Sequence, residues 1–202
     1  MRPTRLALLP LFVLTLLAAP IRGADDGKID LPEGEPWVHE PTGFKFPPDV
    51  GTFTRLGATR YDDEGRNVSV AYGDRALRVL VTSFVYPNTP NMTLAQHFEQ
   101  VKREVRKVNP KAKVLAEGQW TLQQGNRKFT GRRATFTLTV GTRGGEQQEV
   151  VSELYLLLLG DQFVKFRITC PQDKFEPAAD RIANFLKSLT IPELKAAAVP
   201  GK

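Results

Sequence analysis

One cysteine, Cys170, stands alone in 202 residues, so no disulfide forms within the chain and a packed core must supply its stability. With that thiol and two histidines, His39 and His97, the chain cannot assemble a closed structural zinc site, and His39-Glu40 does not open an H-E-x-x-H helix. None of Ser69, Ser83, Ser152 or Ser188 sits in the G-x-S-x-G elbow that a serine hydrolase needs. The glycines of Gly141 to Gly145 (GTRGG) lack the Lys-Ser/Thr pair and following helix of a phosphate loop, and read as a connection between strands. No aromatic residues are interleaved with the basic clusters, which argues against single-stranded nucleic acid. There is no internal repeat, and no catalytic, cofactor or metal site is expected.

Long apolar runs are also missing. The longest, Leu6 to Ala19, falls short of the ~20 residues a membrane span requires. It follows Arg2 and Arg5 and precedes Ile21-Arg22-Gly23, the three-part layout of a secretory signal peptide over residues 1–23, with an uncleaved anchor as the alternative. The whole chain carries 28 Lys and Arg against 22 Asp and Glu. Loss of Arg2, Arg5 and Arg22 with the signal leaves 25 against 22, a mature net charge of +3. An exported, periplasmic or secreted protein of that charge gives little support to a nucleic-acid partner.

What is present is alternation. Val150 to Cys170 reads as two strands joined at Gly160-Asp161, the first apolar on both faces from Leu154 to Leu159. In the second, Val164, Phe166, Ile168 and Cys170 face one way, and Lys165, Arg167 and Thr169 face a half-covered side. Residues 24–36 are acidic and rich in Gly and Pro, a flexible linker. Short strands stopped by Pro41, Pro47 and Pro48 follow, then strands over 52–61, 67–73 and 75–86, the last a candidate neighbour of Leu154 to Leu159. Thr93 and Gln96 form a capping box for a helix with Leu94, His97, Phe98, Val101, Val105 and Val108 on one stripe. Val114, Ala116, Gly118, Trp120 and Leu122 share a strand face, and the parity change between Phe129 and Ala134 predicts a bulge near Gly131. Asp173 and Glu176 are expected to cap a second amphipathic helix, and residues 193–202 to form a disordered tail. The fold class is α+β: one domain over residues 37–192, an antiparallel sheet flanked by helices.

Taken together, Glu40 to Pro47, the Asn-x-Thr before the helix opening Met92-Thr93-Leu94, the strand with Gly118 to Leu122, the Tyr155…Gly160-Asp161-Gln162-Phe163 hairpin and the closing Phe185 to Leu189 resemble the PsbP-like superfamily. These are exported α/β/α-sandwich domains of the PsbP and DcrB type. The resemblance spans most of residues 38 to 190. It implies the sandwich fold and a non-catalytic accessory role, with no family catalytic residues to carry over.

The remaining candidates are surface features. The acidic turn Asp62 to Gly65 with Asn67 lacks EF-hand spacing and reads as a solvated tip; Asn67 and Asn91 stand in glycosylation sequons. The charge feature singled out for partner binding is basic: Lys102, Arg103, Arg106, Lys107, Arg132 and Arg133, set against the bland reading of a solvated helix face. The functional expectation is an exported, non-catalytic binding module meeting an envelope protein or an anionic surface. The alternative is a small-molecule or lipid carrier with a pocket between sheet and helix; a hydrolase ranks below both.

Overall fold

The computed structural model describes residues 27–89, 91–141 and 145–192. The expected signal peptide, residues 1–23, and the tail, residues 193–202, lie outside the described residues, as do positions 142–144 of the GTRGG connection. In chain order the elements are strands β1 (Lys28–Ile29), β2 (Trp37–His39), β3 (Phe44–Phe46), β4 (Asp49–Val50), β5 (Phe53–Arg60), β6 (Val68–Asp74) and β7 (Val79–Pro87), helix α1 (Leu94–Val108), strands β8 (Lys113–Gln124), β9 (Arg127–Gly141), β10 (Gln147–Leu159) and β11 (Gln162–Pro171), a 3-10 turn (Gln172–Lys174) and helix α2 (Phe175–Ser188).

One antiparallel sheet carries the fold, in the order β1-β5-β6-β7-β11-β10-β9-β8 with β4 on β5, and β2–β3 form a separate hairpin. The β10–β11 hairpin is at its centre, closed by a two-residue turn in which Gly160 takes a φ of 60° while Leu159 pairs with Gln162. Because side chains alternate along β10, its two faces feed two cores. Tyr155 and Leu157 join Phe53, Tyr72, Val81, Phe166, Ile182 and Phe185 in the core beneath α2. Leu154 and Leu156 join Ala134, Phe136, Leu138, Phe163, Phe98, Val101 and Val105 beneath α1. The two helices therefore lie on opposite faces, an α/β/α sandwich. The α1 stripe is placed by its capping box: Gln96 donates its backbone N–H to Thr93 Oγ1 at 3.3 Å, and the Thr93 N–H donates to Gln96 Oε1 at 2.9 Å.

Several sequence expectations are corrected. The strand over 79–87 pairs with β11 and β6, not with the Leu154 run, whose other neighbour is β9. No bulge falls near Gly131, where Trp120 pairs with Gly131 in unbroken register; the irregularity is on β8 between Val114 and Ala116. It turns Val114 toward α1 and Trp120 and Leu122 toward α2, so these residues do not share one face. Phe129 and Ala134 differ in parity because they fill different cores. Asp173 and Glu176 make no capping box; α2 is entered through the 3-10 turn and its N-cap, Lys174, makes no side-chain cap bond. The expected flexible lead-in is held from residue 27 onward. Lys28 and Ile29 pair with Thr59 and Ala58, and Arg55 donates to the carbonyls of Pro32 at 2.7 Å and Glu35 at 3.0 Å.

Candidate functional site

The six residues of the expected basic face do not form one surface. Arg103, Arg106 and Lys107 are exposed on the outer side of α1. Lys102 is buried, with its Nζ 2.8 Å from Glu99 Oε1 and 2.6 Å from Glu117 Oε2. Burial works against its ammonium, and the two carboxylates outweigh that and raise it above its ordinary value. Arg132 lies on the α1 side, its guanidinium 5.9 Å from the Phe98 ring centre. Its neighbour Arg133 points to the opposite face, where it pairs with Glu153.

A different pair of cations stands out, and alternation alone had assigned both to a half-covered side. Lys165 is 6% exposed and Arg167 9%. They are buried because β11 is central and α1 lies over the face they share with Phe163. Lys165 Nζ lies over the Phe84 ring at 4.1 Å and the Tyr86 ring at 5.5 Å. Arg167 donates one bond, from Nη2 to Ser152 Oγ at 2.8 Å, and its Nη1 is buried without a partner. Among the described residues neither forms a salt bridge. Burial, and secondarily the charge of Arg167, pull Lys165 down to about 8 against a smaller opposing pull from Glu104, while burial pulls Arg167 down to about 10. A buried cation without a salt bridge is unfavourable, so both cost the folded chain stability.

These cations border an uncovered surface. The α1 core draws its sheet residues from β9, β10 and β11, and among the described residues no helix lies over the same face of β5, β6 and β7. There every second residue of β7 (Leu80, Thr82, Phe84, Tyr86) is half-buried while its alternates Val79, Val81 and Val85 are sealed beneath α2. Leu56 and Tyr61 at the outer strand are 39% and 45% exposed. Tyr61 stacks on Phe84 at 6.5 Å between centres, and its hydroxyl lies 2.9 Å from Ser69 Oγ. Across Lys165 the row continues through Tyr86 to His97, whose ring stacks on Phe163 at 4.1 Å and whose Nε2 is 2.7 Å from the Tyr86 hydroxyl. Burial, then Lys165, hold His97 below its ordinary value, which keeps the ring neutral and structural. The result is an aromatic row from the sheet margin to α1 with a cation set in it.

The other face holds a cleft of about 330 Å³ between α2 and strands β8 to β10. Trp120, Phe175, Ile182 and Leu186 line it, and Arg133, Glu153 and Tyr155 close its inner end. Glu153, 3% exposed, accepts from Arg133, from the Tyr155 hydroxyl at 3.0 Å and from Thr135 at 3.5 Å. Trp120 meets Tyr155 edge-on at 4.7 Å. A shallower depression of about 460 Å³ at the start of α1 is bounded by Asn91, Met92, Gln96, Glu99 and Arg103.

The remaining candidates take structural roles. His39 is buried, with Nδ1 2.7 Å from Thr42 Oγ1 and Nε2 2.8 Å from the Gly65 carbonyl, and so fastens the β2–β3 hairpin to the turn before β6. In that turn the Asp62 carboxylate accepts from the Arg66 and Asn67 backbone N–H groups, closing the loop on itself. Cys170 is buried, and burial pushes its thiol up to about 12. Among the described residues no three His, Cys, Asp or Glu side chains gather as a metal site, and no helix is long and apolar enough to cross a membrane.

Fold and surfaces together define an α/β/α sandwich with one half-sheet face left uncovered. No family model and no curated protein matches the chain. Among solved structures it is similar to the cyanobacterial PsbP (CyanoP) of Synechocystis sp. PCC 6803, at 11% identity and a TM-score of 0.46 over 78% of this chain and 92% of that one. It is also similar to the Ran-binding protein Mog1p of Saccharomyces cerevisiae, at 16% identity and a TM-score of 0.40 over 72% and 85% of the two chains. A point mutant of Mog1 aligns at 17% identity and a TM-score of 0.39, over 80% and 85%.

Proposed function

We propose that this protein is an exported, non-catalytic binding module that docks an acidic protein surface on the face of β5, β6 and β7 that α1 leaves open. One observation carries the reading: Lys165 and Arg167 are buried at the border of that face with no salt bridge among the described residues, and the one carboxylate that acts on Lys165, Glu104, does not offset its burial. Residues that cost stability persist where function requires them, and an acidic partner at that border would be attracted by the two positive charges beneath it. Tyr61, Leu56, Leu80 and Phe84 supply the apolar contact around it, in the arrangement of an apolar patch with a charged anchor. Export rests on the layout of residues 1–23, and sequencing the N-terminus of the protein from an envelope fraction tests it. A start near Ala24 supports cleavage, and a retained Met1 contradicts it.

The docking test is affinity capture from an envelope extract with three forms of the mature protein. Capture should survive Arg103, Arg106 and Lys107 changed together to Glu, and should fail with Phe84→Ser combined with Tyr61→Ser. The reverse pattern would move the interface to the outer face of α1.

A further inference from the structure

We propose that the cleft between α2 and β8–β10 is a second, independent binding site, for a small amphipathic carboxylate such as a medium-chain fatty acid. Its volume of about 330 Å³ lies at the small end of the ligand-pocket range of about 300–1,000 Å³. Like such pockets, it combines a mainly apolar and aromatic wall with a few convergent polar groups at one end.

The polar end favours an anion. Glu153 is the acid in the lining, and its oxygens already accept from Arg133, Thr135 and Tyr155. The cation at that end is Arg133, part-exposed beside the Tyr155 ring, while Lys187 lines the cleft nearer Gln124, at its other end. Arg133 is only partly engaged: Glu153 holds its Nη2, while 43% of the side chain stays exposed and its Nη1 has no hydrogen bond among the described residues. A carboxylate seated on that exposed end of the guanidinium forms a charge-assisted bond there. The alkyl chain then runs between Trp120 and the α2 side chains Ile182 and Leu186, which gives the ligand its apolar part. Gln124 and Arg127 pin the far end of α2, donating to the carbonyls of Leu189, Ile191 (2.8 Å) and Pro192 (3.1 Å), so the wall of the cleft is preformed.

Octanoate is the probe, titrated against octan-1-ol and octylammonium and read by Trp120 fluorescence in a Trp37→Phe background. Octanoate should bind saturably and about tenfold or more tightly than the alcohol, the ratio expected for one hydrogen bond between charged groups. Arg133→Gln should reduce octanoate to the level of the alcohol and leave the alcohol unchanged. Ala183→Phe, which fills the cleft from the part-exposed side of α2, should abolish both. The proposal is overturned if octanoate gives no saturable response, if octan-1-ol or octylammonium binds as tightly, or if Ala183→Phe leaves binding intact. The cleft and the docking half-sheet lie on opposite faces of the sheet, so the Phe84 and Tyr61 variants should bind octanoate normally whatever happens to the partner.

Discussion

Lys165 sits at register with Phe84 on one side and Leu156 on the other, in the middle of an eight-strand path, where its charge has no salt bridge among the described residues. Its ammonium is held at about 8 by burial and by Arg167, against an ordinary value of 10.5. Between those two values the unfolded chain binds a proton that the folded chain has released, so folding stability rises with pH across that window. Below it both states are charged and the penalty is complete. Lys165→Met should therefore be more stable than the parent near pH 7, by roughly 1–3 kcal/mol, with the difference vanishing by about pH 10.5. Denaturant unfolding of both forms across that range measures it. A destabilised Lys165→Met would mean that the cation is already compensated within the fold. Sequence alternation placed Lys165 and Arg167 on the correct face and gave that face the wrong environment. The missed signal lay in the neighbouring strand: a hairpin partner of a run apolar on both faces is itself central, and charges on a central strand are buried wherever a helix crosses it.

Elements were legible where local chemistry decides them. The Thr93–Gln96 cap, the Gly160 turn and the α1 stripe as far as Val105 follow from residues adjacent in the chain, while Val108, expected on the same stripe, is 48% exposed. Partnership and facing depend on contacts far apart in sequence, which is why β7 was given the wrong neighbour and β8 a single face. Gly131 shows the difference. It interrupts an alternating strand as a bulge would, yet its register is regular; a Cβ there would land on the Leu156 carbonyl oxygen and on Leu157 Cδ2 at 2.7 Å. It is glycine because β10 passes too close for any side chain. Gly131→Ala should cost about 1–3 kcal/mol of stability, the range for overpacking, as a shift in denaturant midpoint; an unchanged midpoint would show that β9 yields freely. A second long-range tie joins the β6–β7 turn to α2. Asp74, buried, accepts from Thr52 at 2.6 Å, Arg181 at 2.8 Å and the Leu77 N–H at 3.1 Å. Burial alone would raise its carboxyl, and these three bonds outweigh it and hold it below the usual range. Asp74→Ala should cost about 2–3 kcal/mol at neutral pH, with most of that cost disappearing below the ordinary carboxylate value of 3.8, where the parent loses the same bonds. An equal cost at both pH values would mean that the carboxylate's charge contributes nothing.

At the scale of the whole molecule, the sandwich is covered unequally. Each helix covers one of the sheet's two cores, but the buried sheet residues beneath α1 come from β9, β10 and β11, with Tyr86 of β7 and Val114 of β8 at the margins. The sequence predicted the two helices and the sheet between them; it did not show how far α1 reaches, because that depends on the order of strands in the sheet. The expected basic face dissolved for the same reason: Arg132 and Arg133 are neighbours in the chain and lie on opposite sides of the protein. The surface proposed for binding is the open half-sheet with its aromatic row and buried cations. Hydroxyl-radical footprinting of the protein, free and with its captured partner, tests that most directly. Oxidation of Tyr61 and Leu56, at 45% and 39% exposure, should fall severalfold on binding, while Leu115, 58% exposed at the β8 irregularity, should be labelled equally in both states. Equal labelling of Tyr61 and Leu56 in both states, with protection confined to the outer residues of α1 or to the α2 cleft, would contradict the account.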